Sequence, residues 1–126
     1  MLFRSITIPK KVEKIGEDAF SDCESLTSII IPDSLKILDS CCFRNCKSLK
    51  SLILPDSLNN IKNCAFEECV SLNSIIIHKN DNLSLGYSVF GNCSNLTDVT
   101  IPERFTPKMK DIFKNVNLSK VKITYI

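Results

Sequence analysis

Seven cysteines and one histidine are the side chains of this 126-residue chain with the most chemistry to offer. Cys23, Cys46, Cys69 and Cys93 recur at intervals of 23, 23 and 24 residues. A column approached from one direction makes a poor tetrahedral zinc site, and no Cys-x-x-Cys pair occurs. The spacing therefore predicts buried thiols that pack as small hydrophobes. Cys41 and Cys64 share a second column with Asp18 and Ser88, whose polar side chains predict exposure. One repeat apart, these two are open to either fate, inert free thiols or a disulfide under oxidation. Cys42 stands in the column of Ala19 and Ala65 and is expected inside. His78 would have to be the base of any hydrolytic dyad or triad, yet the pattern sets no Ser or Cys beside it. It reads as a strand-end surface residue. Glu67 with Glu68, and Asp18 with Asp22, read as solvated carboxylates. No catalytic residue, cofactor or metal site is expected.

Composition narrows the function classes in the same direction. Sixteen Lys and Arg against fourteen Asp and Glu leave a net charge of only +2, which speaks against a dedicated nucleic-acid or acidic-membrane binder. Three glycines and one histidine exclude a glycine-rich phosphate cradle and a polyhistidine metal site. The opening Met1–Lys11 lacks the pattern of a secretory signal. No apolar run approaches the roughly 20 residues of a membrane span. The expected localisation is cytoplasmic or non-classically surface-associated, with no membrane insertion. An odd cysteine count without a signal leans away from a disulfide framework.

What must position these residues is a tandem repeat. Phe20, Phe43, Phe66, Phe90 and Phe113 follow one another at 23, 23, 24 and 23 residues. Leu26, Leu49, Leu72 and Leu96 keep step, as do Pro9, Pro32, Pro55, His78 and Pro102. Within one period, Leu26–Ile31 alternates apolar with small residues and is rich in β-branched types, which predicts a short strand stopped by the following proline. Leu35 and Leu38 mark an irregular or weakly extended back segment. Gly16–Phe20 predicts one short helical or 3₁₀ turn. A 23-residue unit cannot bury its own apolar face, but stacked units can, with consecutive strands pairing in parallel. The inward set is Phe20, Cys23, Leu26, Ile29, Ile31, Leu35 and Leu38 with their equivalents.

The pattern I-P-x-S-L-x-x-I-x-x-x-A-F-x-x-C-x-S-L-x-S-I-x-I-P, clearest from Pro9 to Ile77, resembles the BspA-type leucine-rich repeats of bacterial and protist parasite surface or interaction proteins. The fold class that follows is α/β: a right-handed leucine-rich-repeat solenoid of about five 23-residue coils. The resemblance implies a curved solenoid for protein recognition or adhesion. Its parallel sheet lies on the concave face and its short helical turns on the convex side. One domain, 1–126, would comprise a partial first strand at 3–8 and coils at 9–31, 32–54, 55–77, 78–101 and 102–123. The last 23 residues carry six basic groups and one acidic. There Val116 replaces the cysteine, and the coil reads as one residue short before Leu118.

The functional expectation rests on the strand face opposite the core. Ser28, Ile30 and Pro32 should point away from Ile29 and Ile31. Followed across coils, this gives a column of Thr7, Ile30, Ile53, Ile76, Thr100 and Lys122, flanked by Ser5, Ser28, Ser51, Ser74, Asp98 and Lys120. An apolar stripe rimmed by serines reads as a protein interface. The alternative is that Ile simply suits a strand and is shielded by the solenoid's own curvature. The candidate binding residues are Ser28, Ile30, Ser51, Ile53, Ser74, Ile76, His78 and Thr100. The reading is a non-catalytic protein-interaction module, with an unidentified protein or a second copy in a homodimer as occupant. A surface adhesin for host-cell or matrix proteins is the alternative, and an intracellular adaptor a further one. Asn82, Asn92, Asn95 and Asn117 open N-x-S/T triplets, which matter only on an exported chain.

Overall fold

The structure, a computed structural model, describes residues 4–126. Phe3, placed in the expected first strand, lies outside the described residues. Two sets of short parallel strands run along opposite sides of the coil stack. The front set is β1 (Ser5–Thr7), β3 (Ser28–Ile30), β5 (Ser51–Ile53), β7 (Ser74–Ile76), β9 (Asp98–Ile101) and β10 (Lys122–Tyr125). β1 pairs with β3, and β5, β7, β9 and β10 pair in sequence. The two groups abut where the Lys50 N–H reaches the Thr27 carbonyl at 3.4 Å.

The back set corrects the sequence reading. The segments expected to be irregular or weakly extended are the two-residue strands β2 (Lys14–Ile15), β4 (Ile37–Leu38), β6 (Asn60–Ile61) and β8 (Ser84–Leu85), which, beyond that expectation, join into a second parallel sheet. Two-residue strands leave too short an alternation to stand out in one repeat. They persist because each coil repeats the backbone of the last, so their N–H and C=O groups meet in register: Ile15 with Leu38, Leu38 with Ile61 and Ile61 with Leu85.

Between the sheets the five repeated phenylalanines form a spine. Phe20, Phe43, Phe66, Phe90 and Phe113 stack with ring centroids 5.2 to 5.5 Å apart and nearly parallel planes. Offset stacking of this kind adds about 1 kcal/mol per pair beyond burial. Leu26, Leu49, Leu72 and Leu96, and Leu35, Leu38, Leu58 and Ile61, complete the core. Phe20, Cys23, Ile29 and Ile31, expected inside, are only half-buried because fewer neighbours cover the first coil.

Of the helical or 3₁₀ turns expected on the convex side, the first four spine phenylalanines have single turns closed by bonds to the third residue before, such as the Ala19 N–H to the Gly16 carbonyl, which do not continue into helix. The residues two before and two after the ring take positive φ, as at Asp18 and Asp22 (58° and 63°) and at Cys41 and Asn45 (59° and 62°). A left-handed residue cannot continue a right-handed helix. Among the described residues helix occurs only in the last coil, as a 3₁₀ stretch Glu103–Lys108 running into α1 (Met109–Ile112), with a short 3₁₀ turn at Leu118–Lys120. That turn lengthens the coil rather than shortening it. Lys122 therefore pairs with Asp98, and Thr124 with Thr100. Lys122 and Lys120 thus lose the places the sequence reading gave them beside Thr100 and Asp98.

Candidate protein-interaction face

The three-residue front strands place their middle residues inward and their end residues outward. In β5, Leu52 is 4% exposed while Ile53 beside it is 76% exposed. Ile30 and Ile76 take the same position in β3 and β7 and are 63% and 47% exposed. Thr7 precedes them in the column and Thr100 follows. Ser28 and Ser51 are exposed beside the stripe, and Ser74 is half-buried. Ile53 and Ile76 stand at paired positions of adjacent strands.

Two shallow grooves run beside the stripe at the strand ends. One is bounded by Thr7, Lys10, Ile30 and Asp33, the other by Asp33, Ile53, Asp56 and His78. His78 is exposed, its Nδ1 3.7 Å from Asp56 Oδ1. Pro32 does not share the outward face: the strand ends at Ile30, so alternation lapses and the proline ring turns into the core. Among the described residues, no three His, Cys, Asp or Glu side chains gather in a way that would hold a metal. Nor is any of their helices long and apolar enough to cross a membrane.

The two cysteine columns differ. Cys46, Cys69 and Cys93 are buried, and each thiol donates to the carbonyl of a phenylalanine in the coil before, at 3.3 Å. Burial pushes Cys46 and Cys93 up to about 12. Cys42 is buried as well and is pushed up to about 12 for the same reason. Cys41 and Cys64 are half-buried free thiols. Burial, then the Glu67 carboxylate, raises Cys64 to about 11. Ser88 in the same column is not exposed as its polarity suggested: it is 1% exposed, and its hydroxyl donates to Glu67 Oε2 at 2.7 Å. Burial works to raise the Glu67 carboxyl, but Ser88, Cys64 and Arg44 outweigh it and hold it below its usual range. What the column shares is left-handed backbone, whether its side chain is exposed as at Asp18 or buried as at Ser88.

Other polar columns escaped the sequence reading because their work is internal. Two residues after each strand-ending position, Ser34 donates to the Val12 carbonyl at 2.8 Å and Ser57 to the Leu35 carbonyl at 2.6 Å. Asn80 takes over in the coil that has lost its proline, donating to the Asp56 and Leu58 carbonyls. Arg104 holds the next step, donating to the Asn80 and Leu83 carbonyls. The recurring Ser after Pro-Asp was the visible signal. Of the N-x-S/T asparagines, Asn95 spends its amide on the Val70 carbonyl, and Asn117 caps the turn at Ser119.

This periodic architecture has a known counterpart. Residues 2–119 match the BspA type leucine rich repeat region in six copies. The chain belongs to that family. It is similar to a leucine rich cell surface protein from Faecalibacterium prausnitzii, with 25% identity and a TM-score of 0.76 over 98% of this chain and 32% of that one. A leucine rich repeat protein of T. pallidum shares 26% identity with a TM-score of 0.71, over 97% of this chain and 51% of that one. A leucine-rich repeat protein from Bacteroides ovatus shares 29% with a TM-score of 0.64, over 99% of this chain and 38% of that one. No curated protein matches the sequence. The BspA-type chain thus spans between a third and a half of these solved neighbours, as a leucine-rich-repeat solenoid with parallel sheets and few helices.

Proposed function

We propose that residues 1–126 act as one non-catalytic protein-interaction module. Its contact face is the outward column of the front sheet, Ile30, Ile53 and Ile76, rimmed by Ser28, Ser51 and Ser74 and bounded by His78 and Thr100. The observation that carries this reading is the exposure of three aligned isoleucines in a chain whose other repeated apolar columns are largely buried. A patch of this kind pairs with another protein surface. The coil stack holds the side chains in place beforehand, so little ordering entropy is lost on contact. A second copy of the chain in a homodimer is one occupant of such a face. Adhesion to host-cell or matrix proteins is a second reading, favoured by the likeness to a leucine rich cell surface protein.

A photoreactive side chain at position 53, and another at Asn60 on the back sheet, test the reading in the cells that express the protein. Position 53 should yield protein adducts of discrete mass and position 60 none. Equal yields from the two faces, or none from position 53, would refute it.

A further inference from the structure

Cys41 and Cys64 occupy equivalent places on adjacent coils, each two residues before a spine phenylalanine. Their backbones match, with φ of 59° and 61°. The Cys41 N–H bonds to the Asn63 carbonyl and the Cys64 N–H to the Tyr87 carbonyl, both at 3.0 Å. Two residues on, the Phe43 N–H bonds to the Ala65 carbonyl at 2.8 Å, and the Phe43 and Phe66 rings stack 5.4 Å apart at an interplanar angle of 4°. One coil is therefore nearly a pure translation of the next, by about the 4.8 Å of hydrogen-bonded neighbours. That step falls within the Cα separation a disulfide spans, about 4.4 to 6.8 Å.

A pure translation also makes the Cβ separation equal to the Cα separation. Relaxed disulfides need their Cβ atoms closer, about 3.8 Å apart. A bridge here would close the remaining gap by strain, and strained disulfides are readily reduced. The Cys46, Cys69 and Cys93 column has the same register but is sealed in the core, each thiol spent on a carbonyl. Cys23 at the open end of that column is half-buried too, but its neighbour Cys46 is sealed, so the outer pair is the one in register with both thiols partly exposed.

We propose that Cys41 and Cys64 are a site of oxidative modification that forms a reversible cross-coil disulfide by exchange with small disulfides of the oxidised-glutathione class. The Cys41 thiolate, which the Arg44 cation favours, attacks one sulfur of oxidised glutathione and expels a glutathione thiolate. Cys64 loses its proton to solvent and attacks the Cys41 sulfur of the mixed disulfide, releasing the second glutathione. Two protein thiols give up two electrons and two protons, and one glutathione disulfide becomes two glutathione thiols. Burial and the Asp18 and Glu67 carboxylates favour the protonated thiols, so the exchange is slow at neutral pH.

The test equilibrates the native chain with oxidised glutathione, traps free thiols by alkylation and maps the peptides without reduction. The expected product has lost two hydrogens, links 41 to 64 and reverts fully under dithiothreitol. C41S and C64S should each lose this product while folding normally, because Ser88 already occupies the same column. Circular dichroism of each variant checks that the fold is kept. A bridge between other cysteines, a stable glutathione adduct beside a free Cys64, or two fully alkylated thiols would each overturn the proposal.

Discussion

The front and back sheets are built from the same repeat and treat their outward residues in opposite ways. On the back sheet, two-residue strands send Ile15, Leu38, Ile61 and Leu85 inward and turn Lys14 and Ser84 to solvent, with Ile37 and Asn60 half-buried. Lys14 and Lys62 close on Asp39 at 3.2 and 3.8 Å, so this side is dressed for water. On the front sheet the inward residues are as well buried from β5 to β9, yet the outward column keeps three isoleucines. Stability does not require them there, since a polar β-former such as Thr7 or Thr100 holds the same place in other coils. The difference teaches that core demands settle one column of each strand and leave the other free for recognition.

Removing the spine should collapse the distinction. Phe66 sits between Phe43 and Phe90, with ring centroids at 5.4 and 5.5 Å, and supports both sheets at once. Phe66→Ala should cost about 3–5 kcal/mol of unfolding free energy in urea titration. Loss of both sheets together is expected, because each coil is held by its neighbours. A smaller effect, confined to the back, should follow from Gly86→Ala. A Cβ there would stand 2.5 Å from Asn63 Oδ1 and 2.8 Å from the Asn63 backbone nitrogen, costing about 1–3 kcal/mol. Hydrogen exchange should then show β6 and β8 loosened more than β5 and β7.

The smallest effect is a pH dependence on the back sheet. The Ser40 amide, then the Lys14 ammonium, hold the Asp39 carboxyl below its usual value. A carboxyl depressed on folding stabilises above its unfolded pKa and loses that contribution as pH falls through the folded value. Stability should therefore decline once the pH drops below the ordinary carboxylate range. Asp39→Asn should lower Tm slightly at neutral pH and flatten that decline in a Tm-against-pH series, the two curves converging in acid.

The columns of large residues were legible in the sequence because phenylalanine, leucine and proline each answer one strong physical demand. Ile53 and Leu52 could be sorted to opposite faces from alternation alone. The back sheet was not legible, because two residues carry no period. Ser88 was misread because a polar side chain signals left-handed backbone as well as exposure, and one sequence cannot separate the two. Lys122 was misplaced because the 3₁₀ turn at Leu118–Lys120 adds length that the column spacing conceals.

Leu52 and Ile53 are chain neighbours whose side chains leave β5 on opposite sides, which makes them the sharpest pair on which to measure the division of labour. The unfolding free energies of Leu52→Ala and Ile53→Ala should be compared with that of the parent chain. The account predicts a loss of about 2–5 kcal/mol for Leu52→Ala and of less than about 1 kcal/mol for Ile53→Ala. Equal losses would contradict it, because Ile53 would then hold the fold together and not be free to serve a partner.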